Sequence, residues 1–377
     1  MSEKRKRPLV PPNIERLTPY EPGKTIAEVQ ELYNPSQISK LASNENRLGC
    51  SERVQPAVEK ALSTIHDYPD PIGRKLRSKI ANRHGFAREN VILGYGSESL
   101  IANMCRTFFD KDEDAITSEA TFANFWIYAE VQDIPVHKIP MTEGYRFDLQ
   151  AMADAITEQT KLIYIANPNN PTGTFVTQEE FDAFMDRVPE DIIVVMDEAY
   201  FEYAETIHDY PDSLTYSHEN LLTLRTFSKA YGLAGFRIGY GIGHRRLIDM
   251  MMKTKLTFES TALGQAAAYA AYDDTAFIEK SRKMVEKGRE RIYSFFDQHN
   301  VEYVPSAANS VMMILPDAQL AQKFTQEMLK KGVILRRTHG FDLPSCIRIT
   351  IGTEREMDHF ESSFQELFDQ IFYEKDA

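Results

Sequence analysis

Between about residues 55 and 275, short apolar runs rich in β-branched residues alternate with longer amphipathic stretches. The runs at 91–93, 162–166, 192–196 and 221–224 carry almost no polar residue, and a further run follows at 236–242. Apolar and polar positions over 177–188 recur with helical spacing. Uninterrupted apolar strands set between helices predict an α/β fold whose mostly parallel sheet is covered by helices on both faces. In such sheets ligands sit beyond the carboxyl ends of the strands. A long helical stretch at 261–300 leads to strand-like runs at 310–315, 333–336 and 347–351, a helix at 318–331, and a last helix from about 354. This mixed tail predicts a smaller α+β domain. Residues 1–40 hold several prolines and little periodicity, as an arm lying over other structure would. The expected division is an arm over 1–40, a large domain over 41–275 and a small domain over 276–377.

Composition narrows the function. The 377 residues are 42% hydrophobic and 26% charged, as in a globular protein with a large core. A net charge of -13 argues against nucleic acid as the main partner. The start, Met1 to Pro8, is basic but lacks the apolar core of a signal peptide, and no apolar run approaches the roughly 20 residues that span a bilayer. Cys50, Cys105 and Cys346 are few and widely spaced, which fits a reducing cytoplasm. The nine histidines lack ligand spacing, so no metal centre is expected.

Candidate chemistry clusters after the apolar runs. Thr226-Phe-Ser-Lys-Ala-Tyr-Gly-Leu-Ala-Gly-Phe-Arg237 follows one of them. It sets Lys229 among small and hydroxyl residues with an arginine eight positions on. A lysine becomes a nucleophile only without its charge, which a confined site beside other cations favours, and hydroxyls with a guanidinium suit a phosphate. Met196-Asp-Glu-Ala-Tyr200 closes the most apolar run. Asp197 there reads either as a helix cap or as the partner of a protonated ring nitrogen, with Tyr200 donating to the same ring. Ala166-Asn-Pro-Asn-Asn-Pro-Thr-Gly173 has the composition of any tight turn, but at a strand end Asn170 can aim its amide into a site. Gly94-Tyr-Gly-Ser-Glu-Ser-Leu-Ile101 opens a helix whose first-turn N–H groups suit an anion, although the third glycine of a dinucleotide fingerprint is replaced by Ser99. Thr121-Phe-Ala-Asn-Phe-Trp126 offers an aromatic for a flat ring, with core packing the default for Phe122 and Trp126. Arg348 lies inside an apolar run, where it needs either a buried ion pair or a carboxylate ligand.

In this order, Asn-Pro-Asn-Asn-Pro-Thr-Gly, Asp-Glu-Ala-Tyr, Ser-Lys-Ala-Tyr-Gly-Leu-Ala-Gly-Phe-Arg and Arg-Ile-Thr-Ile-Gly resemble the fold-type I pyridoxal-phosphate aminotransferases, closest to the histidinol-phosphate branch. The resemblance runs from Leu17 to Gly352. It implies that Lys229 is the Schiff-base lysine, that Asp197 pairs the pyridine nitrogen, and that Asn170 and Tyr200 bond the ring oxygen. It gives Phe125 the stacking position and the phosphate to Ser97, Glu98, Thr226, Ser228 and Arg237. Arg348, Arg336, Asn46 and Tyr20 fall to the substrate. Tyr68 would reach across a homodimer interface to the cofactor phosphate. The implied reaction is ping-pong transamination of histidinol phosphate with 2-oxoglutarate in the cytoplasm, as part of histidine biosynthesis. An aromatic (phenylalanine) aminotransferase is the alternative, and a decarboxylase of a phosphorylated amino acid a third reading. A regulator's cofactor-binding half would leave the intact lysine and arginines unexplained. Two departures lie near the ligands: Arg47 stands where the family has a proline, and Gly96-Ser-Glu-Ser replaces the usual Ser-Asp-Glu order.

Overall fold

The computed structural model describes residues 8–18 and 23–372. A two-residue strand, β1 (Ser39–Lys40), ends the arm. Seven strands then build the main sheet: β2 (Val91–Gly94), β3 (Asp114–Ser118), β4 (Val136–Ile139), β5 (Thr160–Ala166), β6 (Ile193–Asp197), β7 (Leu221–Thr226) and β8 (Gly239–Gly243). They lie in the order β2-β8-β7-β6-β5-β3-β4. All pairs are parallel except those of β8, which runs antiparallel to both β2 and β7. β8 can do so because β7 returns through the short Lys229 loop rather than a helical crossover, which a parallel pair requires. β3 and β4 were not among the apolar runs read from the sequence; β4, at Val136-His-Lys-Ile139, is half polar because it is the sheet's edge.

β5, β6 and β7 are buried along nearly their whole length, since helices cover both faces. The helix Gln178–Met185, expected over 177–188, starts at a capping box between Thr177 and Glu180. The expected 261–300 helix is two, Ala262–Ala271 and Thr275–Gln298, the second begun by an Asp274 cap.

The remaining strands are β9 (Glu302–Val304), β10 (Ser310–Ile314), β11 (Val333–Ile334), β12 (Arg336–Arg337) and β13 (Cys346–Thr350). β12-β13-β10-β9 form an antiparallel sheet, packed against the helices Ala318–Lys330 and Thr275–Gln298, while the last helix, Glu354–Phe372, packs on the β1-β11 pair. The expected single strand at 333–336 is split: β11 leaves this sheet and pairs in parallel with β1. The arm's end is thereby fixed beside the strands that carry Arg336 and Arg348.

One charge pair, Arg225 with Glu198, lies wholly inside, with the half-exposed Asp212 at its edge. Arg225 of β7, 1% exposed, donates to Glu198 Oε2 through Nε (2.9 Å) and Nη2 (2.7 Å) and also to Asp212 Oδ1 at 2.6 Å. Its guanidinium lies 3.3 Å from the Phe201 ring centre. Removing one member of such a cluster strands the other charge away from water, which costs about 3–5 kcal/mol. Arg225→Met should therefore lower the unfolding free energy measured in urea by about 3–5 kcal/mol, and an unchanged midpoint would count against a structural role for the cluster.

Candidate active site

A cavity of about 1060 Å³ opens beyond the carboxyl ends of β5, β6 and β7. Parallel pairing sets Ala166 beside Asp197, and Asp197 beside Leu224, so the three strands end side by side. Their following loops deliver Asn170, Tyr200 and Lys229 to one place, together with Asp197 itself.

Asp197 is the floor of this site. Its Oδ2 accepts from Tyr164 at 2.6 Å, whereas Oδ1 is buried with no hydrogen-bond partner. Burial pushes its carboxyl up to about 6, against the Tyr164 hydrogen bond and the charge of Lys229, which lower it. Lys229 Nζ donates to the carbonyl of Ser43 at 3.2 Å and lies 5.6 Å from the centre of the Tyr200 ring. The Tyr200 hydroxyl accepts from Asn44 Nδ2 at 3.0 Å.

Arg237 marks the anion end. It holds a left-handed backbone, φ 52°, which a residue with a side chain rarely adopts. Its guanidinium lies by the first turn of the helix Gly96–Phe108, 3.3 Å from Glu98 Oε2. Gly96 and Gly239 permit this approach. A Cβ on Gly96 would stand 2.8 Å from Arg237 Nη2, and one on Gly239 would stand 2.5 Å from the Ser97 nitrogen. Ser228 and Thr226 complete the wall, their hydroxyls 3.0 Å apart. Helix N–H groups, two hydroxyls and a guanidinium form a phosphate cradle. Glu98 offers it only a backbone N–H, since its carboxylate is engaged by Arg237, Asn124 and Tyr128.

At the other end stand Arg336 and Arg337 of β12 and Arg348 of β13. Arg348 is buried and donates to the Asn170 amide oxygen and, at 2.5 Å, to the carbonyl of Ala42. The aromatic rings of Phe122, Trp126 and Phe341 line the space.

Of the residues expected from sequence, Ser97, Glu98, Asn170, Asp197, Tyr200, Thr226, Ser228, Lys229, Arg237, Arg336 and Arg348 all line this cavity. Two do not. Phe125 is fully buried and stacks on Tyr164 at 4.4 Å, because the first turn of the helix Asn124–Val131 directs it at the sheet. Phe122, on the loop just before that helix, lines the cavity in its place. Asn46 is turned away: its amide donates to the carbonyl of Ala230 (2.8 Å) and to Ser281 Oγ (2.9 Å). Tyr68 is 81% exposed and stacks on Phe258 at 4.3 Å. Tyr20 lies outside the described residues. Sequence reasoning missed Tyr164, Glu45 and Arg337. Only Glu45 had a signal, its place in the Asn44-Glu-Asn46 run. Among the described residues no His, Cys, Asp and Glu group could hold a metal, and no helix is long and apolar enough to cross a membrane.

A lysine between an anion pocket and a buried carboxylate, with arginines at the opposite end, is a geometry suited to a flat, phosphate-bearing cofactor and an anionic substrate. Comparison with known proteins agrees. Residues 36–364 match the family model "Aminotransferase class I and II", and the chain belongs to that family. The histidinol-phosphate aminotransferase of Geobacillus sp. (strain WCH70) is 41% identical over 90% of this chain and 93% of its own. That of Bacillus subtilis (strain 168) is 37% identical over 94% and 98%. Among solved structures, histidinol-phosphate aminotransferase from Sinorhizobium meliloti in complex with pyridoxal-5'-phosphate aligns with a TM-score of 0.87 at 26% identity, covering 96% of this chain and 98% of that one.

The raised Asp197 carboxyl has a measurable consequence in cofactor-free protein. The folded state holds this proton more tightly than the unfolded chain does, so stability falls as pH rises from about 4 through about 6. Asp197→Asn should therefore stabilise the cofactor-free protein above pH 6 by about 3 kcal/mol, and by almost nothing near pH 4. Thermal unfolding at the two pH values checks this; equal shifts at both would refute it.

Proposed function

We propose that this chain transfers the amino group of histidinol phosphate to 2-oxoglutarate, giving imidazole-acetol phosphate and glutamate, with pyridoxal 5'-phosphate as cofactor. The observation that carries the reading is the trio Arg336, Arg337 and Arg348 at the end opposite Arg237. One carboxylate needs one bidentate arginine; a phosphate ester makes use of more. The names of the relatives agree.

The residues fit the cofactor. The orphaned Asp197 Oδ1 supplies the acceptor a protonated ring nitrogen requires, and the Gly96 and Arg237 cradle suits its phosphate. When bound, the group withdraws electrons from the bond broken at the substrate's α-carbon. Asp197 keeps the ring nitrogen protonated, and Tyr164 fixes that carboxylate. Asn170 and Tyr200 hold the ring oxygen. With the cofactor bound, Lys229 would take the proton from the substrate's α-carbon and hand it on across the site, serving as base and then as acid. Arg348, already bonded to Asn170, couples the anionic end of the substrate to the ring. Because the oxo product would leave before 2-oxoglutarate binds, with the amino group kept on the cofactor between the two, the kinetics would be ping-pong.

Phe122, Trp126 and Phe341 favour a second reading, an aromatic amino-acid aminotransferase. We also read residues 41–275 and 276–377 as two domains behind the 1–40 arm, supported by their separate sheets. A cytoplasmic homodimer in which Tyr68 serves the partner's phosphate site follows the same reading. Its support is the exposed apolar group Ile65, Tyr68, Leu256 and Phe258, which a partner would cover.

Mixing the loaded enzyme with a single donor, and no oxo acid, tests the substrate. Histidinol phosphate should bleach the visible band of the cofactor rapidly and phenylalanine slowly; the reverse order would establish the second reading. Lys229→Ala should still take up cofactor but lose at least about 10³-fold in turnover, and measurable steady-state transamination by it would refute the assignment.

A further inference from the structure

Three carboxylates line the cavity, and two have full duties: Asp197 at the ring and Glu98 on Arg237. Glu45 has half of one. Its Oε1 accepts from Lys40 Nζ at 2.6 Å, while Oε2 is buried without a hydrogen-bond partner. This is the pattern of Asp197, one oxygen held by a neighbour and the other left for a ligand. Glu45 is also firmly placed. The preceding Asn44 donates to Tyr200, and β1 pairs with β11 two residues before Arg336. A carboxylate here can only oppose a phosphate or a second carboxylate, yet a buried acceptor without a donor is costly. A ligand that brings an N–H group to this wall resolves both difficulties.

Resting on the proposed function, we infer that Glu45 Oε2 accepts the ring N–H of the amino donor and selects an imidazole over a hydrocarbon ring. The phosphate of the donor goes to the arginines, its amine to the cofactor, and its ring N–H to Glu45. Phenylalanine, with no donor on its ring, leaves Oε2 unpaired, and sites built around a hydrogen bond reject ligands that lack it. The competing account makes Glu45 merely the ion-pair partner of Lys40.

The test uses holoenzyme and three donors in single half-reactions: histidinol phosphate, phenylalaninol phosphate (same amine and phosphate, no ring N–H) and glutamate. Glu45→Met should cut kcat/KM for histidinol phosphate about tenfold or more while leaving the other two within about twofold. Lys40→Met, which removes only the ion pair, should keep the wild-type preference for histidinol phosphate over phenylalaninol phosphate. Equal losses for all three donors in Glu45→Met, or the same loss of preference in Lys40→Met, would overturn the inference in favour of a structural pair. No loss in Glu45→Met would overturn it as well. If the wild type fails to use histidinol phosphate, the proposed function falls first, and the role of Glu45 with it.

Discussion

The parallel alignment of β5, β6 and β7 is the constraint on which the site depends. Adjacent parallel strands lie about 4.8 Å apart and end together, so residues just beyond their last rungs are neighbours without any further device. Asn170, Asp197 and Lys229 are separated by 27 and 32 positions in sequence, yet the register of Ala166 with Asp197 and Asp197 with Leu224 brings their loops to one edge. A slip of one residue would turn Asp197 to the opposite face of the sheet. The apolar side chains that fill both faces therefore fix chemistry as well as stability.

That arrangement takes several charges out of water, and each is compensated differently. Arg225 and Glu198 neutralise one another beneath the floor, with the Ser213 N–H closing the second carboxylate oxygen. Arg348 donates to two neutral groups, the Asn170 amide oxygen and the Ala42 carbonyl. Asp197 is compensated only in part: the Tyr164 hydroxyl, the Ala199 N–H and the Lys229 charge favour its carboxylate, yet burial still raises it. This incompletely compensated group is the one proposed to meet the cofactor ring. A carboxylate already saturated with donors would have little to offer a ring nitrogen.

Much of this was legible in the sequence because the motifs sit at ends of apolar runs, and a parallel sheet gathers such ends on one side. Lys229, Asp197, Asn170 and Arg237 needed no more than that. What failed to show depended on helix phase and long-range pairing. Phe122 and Phe125 are three residues apart in one motif, and only the start of a helix at Asn124 decides which faces the sheet. Asn44 and Asn46 flank Glu45, but their amides go to Tyr200 in one case and to Ala230 in the other. The division of the 333–336 run between two sheets follows from its pairing with Ser39 and Lys40, almost 300 residues earlier, which no local pattern contains.

Arg47 shows how a departure from a family pattern can keep its mechanical result. A proline at that position would stiffen the loop by fixing φ. Here the Arg47 guanidinium holds Glu356 Oε1 at 2.7 Å in a half-buried pair. Glu356 Oε2 in turn accepts from the N–H and hydroxyl of Thr353, both at 2.9 Å, at the start of the last helix. The same segment is tied to β13 through Thr350, which donates to Asn44 Oδ1 and whose N–H bonds the carbonyl of Leu41. Residues 41–47 thus touch Lys229 through Ser43, Tyr200 through Asn44 and Arg348 through Ala42. Stiffness comes from anchoring at both ends rather than from a restricted dihedral. An anchored segment of this kind ties the last helix and β13 to both Lys229 and Arg348.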